Sequence, residues 1–146
     1  MFEKLVEGIE VSLNPFSCVS FNADVVKEIE KYIQTNIHKN ESGGLLLGYR
    51  HSNHFEITHI TTPKILDCNN RFSFERKDIA HIKILKRLKK KDSNISYLGE
   101  WHTHPEAFPS PSCIDYTQWN FCRKNSSEAL VFIIFGINDF YVELFK

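Results

Sequence analysis

The chain has 146 residues, 42% apolar and 13% aromatic, with 18 basic side chains against 18 acidic ones. That length suits one domain, expected to span 1–146, with a sizeable core. A net charge near zero supplies no global field to recruit nucleic acid or anionic lipid, and no apolar run approaches the roughly 18–20 residues a membrane span needs.

The start Met1-Phe2-Glu3-Lys4-Leu5 lacks the basic and apolar regions of a signal peptide, so a cytoplasmic protein without membrane or nucleic-acid partners is expected. Cys18, Cys68, Cys113 and Cys122 form no Cys-x-x-Cys pair and no disulfide framework, which predicts reduced thiols.

In chain order, residues 1–15 are mixed and end at the turn signal Asn14-Pro15. Phe16 to Phe21 is rich in β-formers and reads as a strand. A helix follows with Asn22 as its cap, Val26, Ile29, Ile33 and Ile37 at helical spacing, and Lys27, Glu28, Lys31 and Gln34 on the solvated face. After His38-Lys39-Asn40 comes Glu41, which by itself reads as a solvated acid before a strand. Gly43 and Gly44 let a neighbouring backbone approach, and Leu45 to Tyr49 reads as a strand buried on both faces. Phe55 to Thr62 alternates and pairs with it as a hairpin. His51, His54 and His59 read as strand or surface histidines.

Pro63 to Asn70 is predicted as a loop, Arg71 to Glu75 as a short strand and Arg76 to Lys91 as a helix. His81 sits on the apolar side of that helix and reads as a core histidine. Lys83, Lys86, Arg87 and Lys90 form a basic stripe, read as a solvated face, with an acidic protein partner as the alternative. Ile95 to His104 is a strand with Ile95, Tyr97 and Trp101 on one face and Leu98, Glu100, His102 and His104 on the other. Pro105 ends its pairing. A loop over 105–111 leads to a helix from Ser112 to Lys124, with Ile114, Trp119 and Cys122 as apolar contacts. Strands over 129–136 and 140–145 close the chain. The order β-α-β-β-β-α-β-α-β-β predicts an α/β domain built round a mixed sheet flanked by helices.

The stretch Gly99-Glu100-Trp101-His102-Thr103-His104-Pro105 carries the chemistry. Residues two apart in a strand point to the same side, so His102 and His104 aim two imidazoles at one point, and Asp115 can bring a carboxylate there from the next helix. Taken singly, His-x-His is two solvated histidines and Ser112-x-x-Asp115 is a capping box; together they are far more specific. Two imidazoles and one carboxylate suit Zn²⁺ and leave a fourth position for water, whose pKa would fall to about 7.

His102-x-His104-Pro105, six residues, Ser112, two residues, Asp115 resembles the motif of the JAMM (MPN-plus, JAB) zinc metalloproteases. Glu41-Ser42-Gly43-Gly44-Leu45-Leu46-Leu47-Gly48 looks like the family's upstream glutamate segment. The resemblance implies a cytidine-deaminase-like JAMM/MPN fold, zinc on His102, His104 and Asp115, Glu41 as proton shuttle and Ser112 as oxyanion donor. Glu100, on the face of His102, is a candidate to fix an imidazole tautomer.

The resemblance also implies the substrate: the peptide or isopeptide bond after the C-terminal tail of a ubiquitin-like modifier. The compact chain, with its run Gly99-Glu100-Trp101-His102-Thr103-His104-Pro105-Glu106, resembles bacterial stand-alone JAB proteases. These sit beside ubiquitin-activating-like and conjugating-like enzymes, including those of CBASS anti-phage operons, where a conjugated nucleotide cyclase is released. Four alternatives stand beside it. A Cys113 nucleophile leaves His104 and Asp115 without a role. A zinc deaminase needs His-x-Glu with Pro-Cys-x-x-Cys, which is absent. A RadC-like protein needs an upstream helix-hairpin-helix for which the first forty residues leave no space. A non-catalytic MPN-type scaffold usually lacks a ligand or the glutamate, and this chain lacks neither.

Overall fold

The computed structural model of the protein describes residues 10–14 and 17–145. Pro15 of the turn signal, Phe16 of the predicted first strand and the N-terminal start lie outside them. The elements are β1 (Glu10–Asn14), β2 (Ser17–Phe21), α1 (Ala23–Glu30), β3 (Gly43–Arg50), β4 (His54–Ile60), β5 (Cys68–Asn70), β6 (Ser73–Glu75), α2 (Ala80–Lys91), β7 (Ser96–Thr103), α3 (Cys113–Lys124), β8 (Leu130–Phe135) and β9 (Phe140–Phe145). Seven strands form one sheet in the order β1-β2-β4-β3-β7-β8-β9. The pairs β2/β4 and β7/β8 are parallel and the rest antiparallel, so the sheet is mixed, and it curls until its edge strands β1 and β9 touch.

Helices cover both faces. Val25, Val26 and Ile29 of α1 pack with Val19, Leu46, Ile57, Trp101, Val131 and Ile133. On the opposite face α2 lays Ile82, Leu85 and Leu88 over Leu45, Leu47 and Ile95, while α3 buries Trp119 against Leu130, Phe132 and Ile134. Alternate residues of β8 thus enter opposite cores, which is why its sequence is uninterruptedly apolar. Leu46 and Ile133 are fully enclosed, a burial that stabilises by about 1.5–3 kcal/mol per side chain.

Asn22 caps α1 as expected, its Oδ1 accepting the Val25 N–H at 2.9 Å. The helix stops at Glu30, however, and Ile37 is 70% exposed while Gln34 is only 1% exposed. Helix α2 starts at Ala80 rather than Arg76, because the Asp78 carboxylate accepts the Ala80 N–H and sets the first turn there. The segment predicted as a loop and short strand folds as a hairpin, β5 on β6.

The facing of β7 also differs from simple alternation. Leu46 pairs with Gly99 but Leu47 pairs with Tyr97, so β7 carries one extra residue. Gly99 has φ +151°, and a Cβ there would lie 1.6 Å from the Val131 carbonyl oxygen, which only glycine avoids. The bulge turns Leu98 into the Trp101 core and puts Tyr97 with Glu100, whose Oε2 accepts the Tyr97 hydroxyl at 3.1 Å.

Candidate active site

Strand β7 lies inside the sheet between β3 and β8, His102 pairing with Gly43 on one side and Ile134 on the other. Past the strand end, the His104 N–H donates to the Phe135 carbonyl at 3.0 Å, so the second histidine stays in line. Both imidazoles are buried and their Nε2 atoms meet at 3.1 Å. The His102 ring leans on Trp119, with centroids 6.1 Å apart.

The third group comes from the start of α3. Ser112 caps that helix, its Oγ accepting the Asp115 N–H at 3.1 Å, and Asp115 Oδ2 accepts the Ser112 N–H at 2.8 Å. This reciprocal box aims the carboxylate inward. Asp115 Oδ1 lies 3.1 Å from His102 Nε2 and Oδ2 lies 3.0 Å from His104 Nε2. Burial pushes the Asp115 carboxyl up, but the bonds from His102, His104 and the Ser112 backbone pull it far below the usual carboxylate range.

Three contacts of about 3 Å therefore join two imidazole nitrogens and one ionised carboxylate. Each Nε2 carries at most one proton, so two protons cannot serve all three contacts. A single cation can: bonds of about 2.0–2.2 Å in a tetrahedron put ligand atoms about 3.3 Å apart. The donor set is thus compatible with a metal ion.

Glu41 stands just before β3, only 2% exposed. Its Oε1 lies 3.9 Å from His104 Nε2, and Glu41, His102 and His104 bring ligand atoms within 4.8 Å of one another. Burial pushes the Glu41 carboxyl up to about 8, with Asp115 and Glu106 adding to the rise and His104 opposing it. For His104, burial alone would lower the pKa, but Asp115, Glu41 and Glu106 raise it to about 8. A group titrating near neutrality can both take and give a proton.

The backbone of Glu41 is held from the β5–β6 hairpin. Its N–H donates to the Asn70 carbonyl at 2.8 Å and its carbonyl accepts Asn69 Nδ2 at 2.9 Å. The hairpin closes tightly because Gly43 has no side chain: a Cβ there would lie 2.7 Å from the Phe74 ring. Gln34 ties the parts together, donating Nε2 to the Arg71 carbonyl at 3.0 Å and accepting the Thr103 hydroxyl at 3.0 Å.

All five residues singled out from the sequence, Glu41, His102, His104, Ser112 and Asp115, thus gather at one end of the sheet. Sequence reasoning missed Gln34, Asn69 and Glu106; the last accepts from His104 Nδ1 at 2.7 Å. Only its place two residues after a histidine hinted at that contact. Glu100 is engaged elsewhere, by Arg76 Nε at 2.6 Å, the Tyr97 hydroxyl and the Cys122 thiol at 2.7 Å. Burial, with Glu100 beside it, pushes that thiol up to about 12. Cys113 is exposed. His81 is fully buried in a chain of its own, between Thr61 Oγ1 and Asp67 Oδ2, both at 2.6 Å.

Residues 23–141 match the family model of prokaryotic homologs of the JAB domain, a stretch that contains all five site residues. The chain is 40% identical over 121 residues to a CD-NTase/cGAS isopeptidase of Escherichia coli (strain TW11681), covering 82% of this chain and 77% of the relative. It is 36% identical over 127 residues to one from Pseudomonas aeruginosa (strain BWHPSA011 / Pa011), covering 85% and 80%. It is 33% identical over 121 residues to one from Vibrio cholerae serotype O1, covering 81% and 76%. In fold it is similar to the solution structure of protein DSY2949 from Desulfitobacterium hafniense, with a TM-score of 0.60 at 18% identity over 86% of this chain and 82% of that one.

Proposed function

The chain belongs to the prokaryotic JAB-domain family, and on that premise we propose that it is a zinc-dependent isopeptidase. It hydrolyses the bond after the C-terminal tail of a ubiquitin-like modifier and releases a conjugated protein. The names of its relatives favour a CD-NTase, a nucleotide cyclase of a CBASS system, as that protein. Activating-like and conjugating-like enzymes are the partners that would make the bond it cuts. In this reading residues 1–146 work as one domain.

The residues divide the work by position. His102, His104 and Asp115 hold the metal. When bound, zinc supplies Lewis acidity, polarising the scissile carbonyl and lowering the pKa of a water to about 7. Glu41 takes the proton of the attacking water on its carboxylate and hands it to the leaving amine. The Ser112 Oγ already accepts the Asp115 N–H, so its own proton is free to meet the developing oxyanion. Burial of Glu41, His102 and His104 keeps bulk water from screening these charges.

The observation that carries the reading is the separation of roles. Three ligand groups meet at 3.0–3.1 Å, while Glu41 stands apart at 3.9 Å from His104 Nε2. A non-catalytic scaffold has no need of a second buried carboxylate there. The test is a cleavage time course on a cognate modifier joined to a short leaving peptide, with zinc measured on the same samples. Glu41→Gln should keep zinc and lose about 10²–10⁴-fold in rate, whereas His102→Ala should lose both. Cleavage by Glu41→Gln at the wild-type rate overturns the shuttle assignment. A zinc-loaded wild type that cuts no such conjugate favours the scaffold.

A further inference from the structure

We propose that Glu106 is a positioning residue: it holds the His104 imidazole in the tautomer and orientation that present Nε2 to the metal. This rests on the zinc reading above and names a residue outside the motif. The Glu106 carboxylate Oε1 lies 2.7 Å from His104 Nδ1. A carboxylate only accepts, so Nδ1 carries a proton; in the neutral ring that leaves Nε2, which faces His102 and Asp115, as the nitrogen with the lone pair a metal needs. Metal-bound imidazoles commonly need such a partner, which fixes the ring and makes it a stronger donor.

The two histidines solve the same problem differently. The His102 ring is steadied by packing, tilted 53° on Trp119. His104 lies past the end of β7; among the described residues its ring contact is with His102 itself, and Glu106 is the partner of its Nδ1.

The side chain is also separable from the fold. The loop after Pro105 is fixed by main-chain bonds, the Ile137 N–H to the Glu106 carbonyl at 2.8 Å and the Asn138 N–H to the Ala107 carbonyl at 3.0 Å. Truncating Glu106 leaves both in place. Its side chain is 47% exposed, so no cavity opens. With the Glu106 carboxylate half in solvent, the pair is partly screened and contributes little stability by itself, which makes orientation of the ring its measurable effect.

The experiment is zinc affinity of the full chain, by competition with a chromophoric chelator, for wild type, Glu106→Ala and Glu106→Gln. Thermal unfolding of the metal-free proteins is measured alongside. Glu106→Ala should bind zinc about 10–100-fold more weakly with the metal-free unfolding temperature unchanged. Glu106→Gln should recover most of the affinity, since its amide oxygen still accepts from Nδ1. An affinity for Glu106→Ala within about twofold of wild type overturns the proposal. So does an equal loss in both variants matched by a fall in metal-free stability, which marks a structural role. A wild type that takes up no zinc removes the metal reading, and this one with it, whereas the other two outcomes leave that reading standing.

Discussion

Asp115 and Ser112 cap each other across the first turn of α3, and the same carboxylate oxygen that accepts the Ser112 N–H at 2.8 Å lies 3.0 Å from His104 Nε2. The device that starts the helix is therefore also the one that turns the Asp115 carboxylate toward the two imidazoles. Only the backbone of Ser112 serves the carboxylate; its hydroxyl serves the helix.

That division predicts the phenotype of Ser112→Ala. The Asp115 N–H loses its acceptor, at a cost of about 1 kcal/mol or a fall of about 2–4 °C in unfolding temperature. The residue 112 N–H still holds Asp115, so zinc content should stay at the wild-type level. Turnover should drop about 10²–10³-fold through the lost oxyanion donor. Zinc, unfolding temperature and kcat measured on one preparation check it; an unchanged kcat would leave Ser112 as a cap alone.

Asp67 should make stability depend on pH. Burial pushes its carboxyl up, but the Asp78 backbone, the His81 ring and the backbones of Lys64 and Lys77 donate to it and hold it below the usual range. With the folded pKa depressed, the unfolded chain binds more protons in acid. The contribution is fully present above the unfolded value of about 3.9 and is lost as pH falls through the folded one. Asp67→Asn should cost about 3 kcal/mol at pH 7. In urea unfolding from pH 7 to pH 3, its deficit against wild type should shrink below about pH 4. A deficit that stays constant across that range would show that the charge of Asp67 contributes nothing.

Lys83, Lys86, Arg87 and Lys90 are exposed, and among the described residues no carboxylate pairs with them. Lys83→Glu with Arg87→Glu should alter cleavage of a full protein conjugate and of a short peptide alike, by less than about twofold. If the conjugate alone slows, and its wild-type rate falls with salt, these side chains dock an acidic partner instead.

How much could be read beforehand depended on whether a feature was local. Asn22, Ser112 and the His102/His104 pair act within a turn or a strand, so spacing revealed them. The bulge at Gly99 did not announce itself, because the need for glycine arises from the Val131 carbonyl of a neighbouring strand. It reversed the expected facing of Tyr97 and Leu98 while leaving the two histidines, which lie beyond it, on a common side. Gln34 has the polarity of a solvated helix position, yet α1 has ended by then and the side chain bridges Arg71 and Thr103. The β5–β6 hairpin lacks alternation because its Cys68, Asn69 and Asn70 are all exposed. Family resemblance identified Glu41; its isolated place in the sequence could not.

The two hydrogen bonds that the β5–β6 hairpin makes to Glu41 have a consequence best stated in the language of hydrogen exchange. The His102 amide belongs to a strand paired on both sides, so it opens only when the centre of the sheet does, near the free energy of global unfolding. The Glu41 amide opens when a pair of three-residue strands lets go, and so small a hairpin is marginally stable by itself. The His102 and Glu41 amides therefore belong to separate opening units, the second opening at the lower free energy. Ser42, next along the chain, stays bonded to Thr103 through both its N–H and its carbonyl at 2.9 Å, so an opening of the hairpin frees the Glu41 amide while the imidazoles stay locked in the sheet.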